Sequence, residues 1–132
     1  MMLLPLPARE VTNISLGYHL ALQACRDTGG TIEQLSELTR ALYVTYYLEQ
    51  QGYGNAGNAF YRSAEAHLAV AARRAMADNI SRLGSEGATA MMEVLRLLDG
   101  QLATAQTRHV FEANRRLTRF IMGSDKKSPF DA

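Results

Sequence analysis

Residues 31–50 read TIEQLSELTRALYVTYYLEQ, and this stretch decides the fold. Thr31 is followed three positions later by Gln34, the spacing of a capping box, in which hydroxyl and side-chain amide satisfy two backbone N–H groups left over by the first helical turn. Ile32, Leu35, Leu38, Leu42 and Tyr46 recur every three or four residues and so share one helical face. Val44 and Leu48, beside Tyr43 and Tyr47, widen that face to nearly the whole circumference. A helix apolar on all sides is central in a core or shared with a partner.

Working outward, Asp27-Thr28-Gly29-Gly30 is a strong break, and before it Ile14, Tyr18, Ala21, Leu22 and Cys25 mark an amphipathic helix over Val11–Cys25. On the other side, Gly52–Asn58 reads as a loop that supplies an asparagine cap. A third, alanine-rich helix is expected from Ala59 to Leu83, with Gly84 at its C-terminal stop. Phe60, Ala64, His67, Leu68, Ala71, Ala75, Met76, Ile80 and Leu83 share its face. From Ser85 onward, Met91, Leu95, Leu98, Leu102, Ala105 and His109 form a heptad seam, which then drifts to Ala113, Leu117 and Phe120. One helix over Ala88–Met122 would be about 50 Å long at 1.5 Å per residue, more than a small bundle needs for its own core. A split at Gly100 is the competing reading, because a mid-helix glycine costs roughly 1 kcal/mol relative to alanine.

The expected fold is therefore all-α: a four-helix bundle-like domain with a long C-terminal helix, dimeric along that helix. Residues 1–10 form a flexible lead, 11–122 the single domain and 123–132 a flexible tail. The 132-residue length suits one domain, and a chain of that size buries roughly two thirds of its unfolded surface without staples. Apolar residues make up 47% and charged residues 20%, a globular composition. The net charge of +1 gives no overall field that steers toward nucleic acid or anionic membrane. No apolar run is long enough to span a bilayer. The apolar start Met1–Pro7 is short, lacks a basic leader and holds two prolines, so it does not read as a signal peptide. The single cysteine, Cys25, rules out an intramolecular disulfide and fits a reducing, cytoplasmic location.

Motifs that carry chemistry find little support. Gly52, Gly54 and Gly57 match G-x-G-x-x-G, but a helix precedes them where a dinucleotide site needs a strand, so the reading is a connector and no cofactor is expected. His19, His67 and His109 lie on three different helices without the Glu-x-x-His pairs that di-iron bundles use, so no metal is expected. Cys25 falls on an apolar face, where a thiol behaves as a small hydrophobe, and no serine sits in a nucleophile elbow. An enzyme is not expected.

Two surfaces stand out instead. Tyr43, Tyr46, Tyr47, Tyr53, Phe60 and Tyr61 gather six aromatics within nineteen residues, and tyrosine is favoured at protein interfaces. Tyr46 and Tyr47 differ by about 100° of helical rotation, so Tyr43, Tyr46 and Tyr47 are not all expected to be buried in one small core. All six aromatics, Tyr43, Tyr46, Tyr47, Tyr53, Phe60 and Tyr61, are the expected partner contacts, with Met91, Leu95, Leu98, Leu102 and His109 as the dimer interface. Residues 108–127 hold six basic side chains against two acidic ones. Arg108, Arg115, Arg116 and Arg119 there form a candidate contact for anions or an acidic partner. The connectors do not make a helix-turn-helix, so nucleic-acid binding stays the alternative.

Leu38–Gly54 together with Phe60-Tyr61-Arg62 resembles small helical regulators of Gram-negative bacteria, in particular anti-activators of LuxR-type quorum-sensing receptors. The resemblance covers about a fifth of the chain and carries over no functional residue. It implies a cytoplasmic helical homodimer that sequesters a transcription factor without touching DNA.

Overall fold

A computed structural model of the chain describes residues 3–27, 29–123 and 128–131. Five α-helices make up the described residues: α1 (Ala8–Asp27), α2 (Ile32–Gln50), α3 (Asn58–Asp78), α4 (Ser85–Thr104) and α5 (Thr107–Met122), followed by a 3₁₀ turn over Pro129–Asp131. No strand is present among them; Pro5 with Gln106 and Gly30 with Ser81 form isolated bridges.

The capping box at Thr31 is in place. Gln34 N–H donates to Thr31 Oγ1 at 3.2 Å, and Thr31 N–H donates to Gln34 Oε1 at 2.9 Å. From this start α2 runs through the middle of the bundle and packs against α1, α3, α4 and α5. Neighbours on every side are the physical reason its second half is apolar nearly all round: Val44, Thr45, Tyr46, Tyr47 and Leu48 are five consecutive buried residues, while Ile32 in the first turn is exposed. Thr45 fits there because its hydroxyl donates to Ala41 O one turn back, at 2.7 Å.

Met91, Leu95, Leu98 and Leu102 are 0–2% exposed within one copy. The seam expected to join two copies is thus part of the intramolecular core, and these four residues are not free for a partner copy. α3 also ends sooner than its alanines suggest, at Asn79 in the left-handed conformation (φ 60°), so Met76 and Ile80 are exposed. Leu83 remains core because the return segment is pinned to the α1–α2 corner. Leu83 N–H donates to Cys25 O at 3.0 Å, and Gly30 N–H donates to Ser81 O at 2.8 Å.

The expected long C-terminal helix is two helices. The break falls at Ala105–Gln106, while Gly100 lies inside α4. Groups distant in the chain make this corner. Gln106 N–H donates to Tyr53 Oη at 3.1 Å, and Thr107 N–H donates to Leu4 O at 2.8 Å, so donors at the start of α5 find partners outside the helix. Tyr53 Oη also lies 2.7 Å from His109 Nδ1, and Gln51 Nε2 donates to His109 O at 2.9 Å. Gln101 Nε2 donates to Thr45 O and Tyr53 O, tying α4 to the end of α2.

Both ends of the chain depart from the expected lead and tail. α1 already starts at Ala8, and Leu4 is engaged by Thr107 through both its backbone N–H and its hydroxyl. At the other end Phe130 is completely buried. Residues 124–127 of the expected tail, with Lys126 and Lys127 of the basic stretch, lie outside the described residues. Replacing Tyr53 by Phe removes the hydroxyl that serves both Gln106 and His109 and leaves the ring. We expect Tyr53→Phe to lower stability by about 1–2 kcal/mol in urea unfolding with an unchanged m-value; wild-type stability would contradict this account of the corner.

Candidate functional site

The aromatic cluster expected to face a partner is largely internal. Tyr46 and Tyr47 are buried, Tyr61 has no exposed surface, and Tyr43, Tyr53 and Phe60 are half-buried against the core. The expectation that Tyr43, Tyr46 and Tyr47 cannot all be inside presumed neighbours on one side of α2. With α3 on one flank and α5 on another, Tyr46 and Tyr47 each find cover, and Tyr43 alone of the three reaches the surface.

What these rings build is a seat for Phe130 between α2 and α3. The Phe130 ring lies 4.9 Å from Tyr46, 5.5 Å from Tyr43 and 5.5 Å from Tyr61, edge-on to the first two and stacked on the third. Such aromatic pairs are worth about 0.5–1.5 kcal/mol beyond the area they bury. Its carbonyl is gripped as well: Arg62 Nη2 donates to Phe130 O at 2.7 Å, and Asn58 Nδ2 donates at 3.2 Å. Two carboxylates complete the surroundings. Tyr61 Oη donates to Glu49 at 2.9 Å and Tyr43 Oη to Glu65 at 2.8 Å. Burial first, and the carboxylate hydrogen bond second, push both phenols well above their usual value of 10. Sequence reasoning identified Tyr43, Tyr46 and Tyr61 but missed Phe130, Asn58 and Arg62. A lone aromatic in a polar tail is the signal that could have found Phe130.

The G-x-G-x-x-G loop has backbone donors for an anion, and the chain supplies one. Ala56 N–H and Gly57 N–H donate to Glu49 at 2.7 and 3.3 Å. The same carboxylate that receives Tyr61 therefore fills the loop. Gly57, at φ 86°, takes a conformation that side chains resist.

The histidines are apart. His19 Nε2 lies 2.9 Å from Asp99 Oδ2, His67 packs beside Gly87, and His109 bonds Tyr53. Among the described residues no three His, Cys, Asp or Glu side chains converge as a metal site. Burial raises the Cys25 thiol above its ordinary value.

The basic residues do not form a single patch. Arg115 and Arg119 both pair with Glu112, at 3.3 and 3.1 Å, and Arg116 lies over the Tyr47 ring at 4.8 Å, a cation–π contact. Arg108 Nε donates to Gln106 Oε1 at 2.9 Å. On the same outward side of α5, Phe111 is 53% and Met122 80% exposed. α5 has α2 as its principal neighbour, which leaves this stripe uncovered. No helix among the described residues is long and apolar enough to cross a membrane. Comparison with family models, curated proteins and solved structures returns no match for the chain.

The raised phenols give a pH signature. A group whose folded pKa lies above its unfolded value stabilises the fold fully below the unfolded value, and that stability fades as pH climbs past it. For Tyr43 and Tyr61 the loss begins at pH 10 and steepens above it. Each contributes at most about 1.4 kcal/mol per pH unit. Tyrosinate absorbance should therefore appear in two phases, the buried phenols ionising together with loss of helical circular dichroism. A single phase centred on pH 10 with the helices intact would contradict the burial.

Proposed function

We propose that the chain is a non-enzymatic regulatory protein that acts by protein–protein binding through the outward stripe of α5. The observation that carries this is the exposure of Phe111 and Met122, at 53% and 80%, on a helix covered chiefly by α2. Arg108, Arg115 and Arg119 flank them. Aromatic residues, Met and Arg are the types enriched where proteins meet, and Phe111 and Met122 lie on one face of α5, three turns apart with Arg115 and Thr118 between them. The resemblance to anti-activators extends the reading: the partner is a transcription factor, sequestered in the cytoplasm, and the same stripe supports a homodimer.

Binding of nucleic acid by these arginines is the weaker reading. Glu112 neutralises part of the charge of Arg115 and Arg119, and Arg116 is turned onto Tyr47. Phosphate contacts need guanidinium groups aimed together at a backbone.

The double substitution Phe111→Asp/Met122→Asp tests the proposal. Both positions are exposed, so stability should change by less than about 1 kcal/mol. The wild-type chain should sediment as a dimer and retain an identifiable protein from host extract, and the folded variant should lose both. Equal capture and equal mass for the two chains would contradict the proposal. Titration with duplex DNA at low salt should be flat; binding that weakens steeply with salt would favour the alternative.

A further inference from the structure

We propose that the cleft between the Gly52–Gly54 loop and α4 is a small-molecule site, and that it takes a planar carboxylic acid carrying a ring N–H. The cleft measures about 410 Å³, within the range of small-ligand pockets. It is bordered by Gly52, Gly54, Arg96, Leu97, Gly100 and Gln101, and shares no residue with the α5 stripe.

Two adjacent residues of α4 carry costs that the fold alone does not explain. Glycine weakens a helix interior, and its usual justification there is a neighbour packed against the missing side chain. A Cβ at Gly100 would meet nothing within 4 Å, so packing does not require glycine at that position. Gln101 is 3% exposed. Its Nε2 donates to Thr45 O at 3.1 Å and to Tyr53 O at 2.6 Å, while its Oε1 has no partner. A buried acceptor left unpaired destabilises the chain until a donor reaches it. Both residues border the same cleft. The open face at Gly100 provides room for a ligand, and Gln101 provides the acceptor that holds it.

The walls define the ligand's shape and charge. Gly52 and Gly54, at φ 102° and 119°, present bare backbone on the loop side, and Gly100 does so on the helix side, so a flat ring can lie against main chain. Leu97 adds apolar contact. Gln101 Oε1 is closed to solvent, so the half-buried Leu97 side chain swings aside as the ligand's N–H enters. Arg96 is exposed, stands one helical turn before Gly100, and makes no ion pair among the described residues. A carboxylate matches its guanidinium. Glu49 lies near Gly54, but its oxygens are taken by Tyr61, Ala56 and Gly57. The ligand's anionic end therefore lies at Arg96 and its N–H end at Gln101.

The probe is indole-3-acetate, titrated into the full chain while NMR follows the backbone amides of Gly52, Gly54 and Gly100 and the side-chain amide of Gln101. A ligand of this size should bind with a Kd on the order of 1 mM or tighter, with shifts centred on those groups. 1-Methylindole-3-acetate lacks the N–H and indole lacks the carboxylate; each should bind at least about tenfold more weakly. Gly100→Leu fills the cleft from a helical position with open space around it, so the variant should fold and lose binding. Arg96→Gln should bind indole-3-acetate no better than indole. Absent shifts, shifts centred elsewhere, or full binding by Gly100→Leu would overturn the proposal. Equal affinity for the methylated and parent acids would also overturn it, because Gln101 Oε1 would then be served by water alone.

Discussion

The burial of the second half of α2 on all sides is the constraint on which the other elements depend. A helix whose residues 44–48 are all excluded from water needs cover in every direction, and four helices supply it. α1 and α4 take one flank and contact each other, α3 takes another, and α5 folds back along the remainder. The turn at Ala105–Gln106 follows from that need. A continuous α4–α5 helix would leave Tyr43 and Tyr47 open to solvent, where instead Phe120 lies 5.2 Å from Tyr43 and Arg116 covers Tyr47.

Polar groups in this core are largely paired, with Gln101 Oε1 as an exception among the described residues. Gln101 is 3% exposed, and its amide nitrogen serves two carbonyls, while its Oε1 has no partner. Glu49 is used three times, by Tyr61, Ala56 and Gly57, so that one carboxylate fixes both a buried phenol and the loop entering α3. A hydrogen bond to a charged acceptor is worth roughly 1.5–3 kcal/mol, more than one between neutral groups. Loop and pocket are thereby coupled: the backbone donors that a sequence motif would assign to a phosphate hold the wall of the Phe130 seat in place.

Local signals were the legible ones. The capping box at Thr31, the break near Gly29-Gly30 and the apolar circumference of α2 depend on neighbours in sequence, and each can be read from spacing. The corner after α4 could not be read this way. Its heptad continues unbroken from Leu102 to His109, and the groups that open it, Tyr53 and Leu4, are 53 and 103 residues distant. The C-terminus of α3 was misplaced at Gly84 because Asn79, a non-glycine residue, takes the left-handed position. The tyrosines were read as surface contacts and lie largely inside: their spacing shows which face each occupies, and only the packing shows that the second half of α2 is covered on every face. Phe130 was missed because a single aromatic has no period; its one signal is that it stands alone in a polar tail. On α5 the arginines were legible as a basic stretch of sequence, but their pairing with Glu112 and Tyr47 was not, and the exposure of Phe111 and Met122 depends on α5 having one main neighbour.

The central claim is that one copy of the chain encloses the second half of α2, residues 44–48, on all sides. Native-state amide hydrogen exchange over residues 41–48 tests it most directly. The account predicts that all of these amides exchange only through global unfolding, more slowly than those of α5. Protection confined to one face of α2 would show that one copy leaves the core incomplete and would contradict the account.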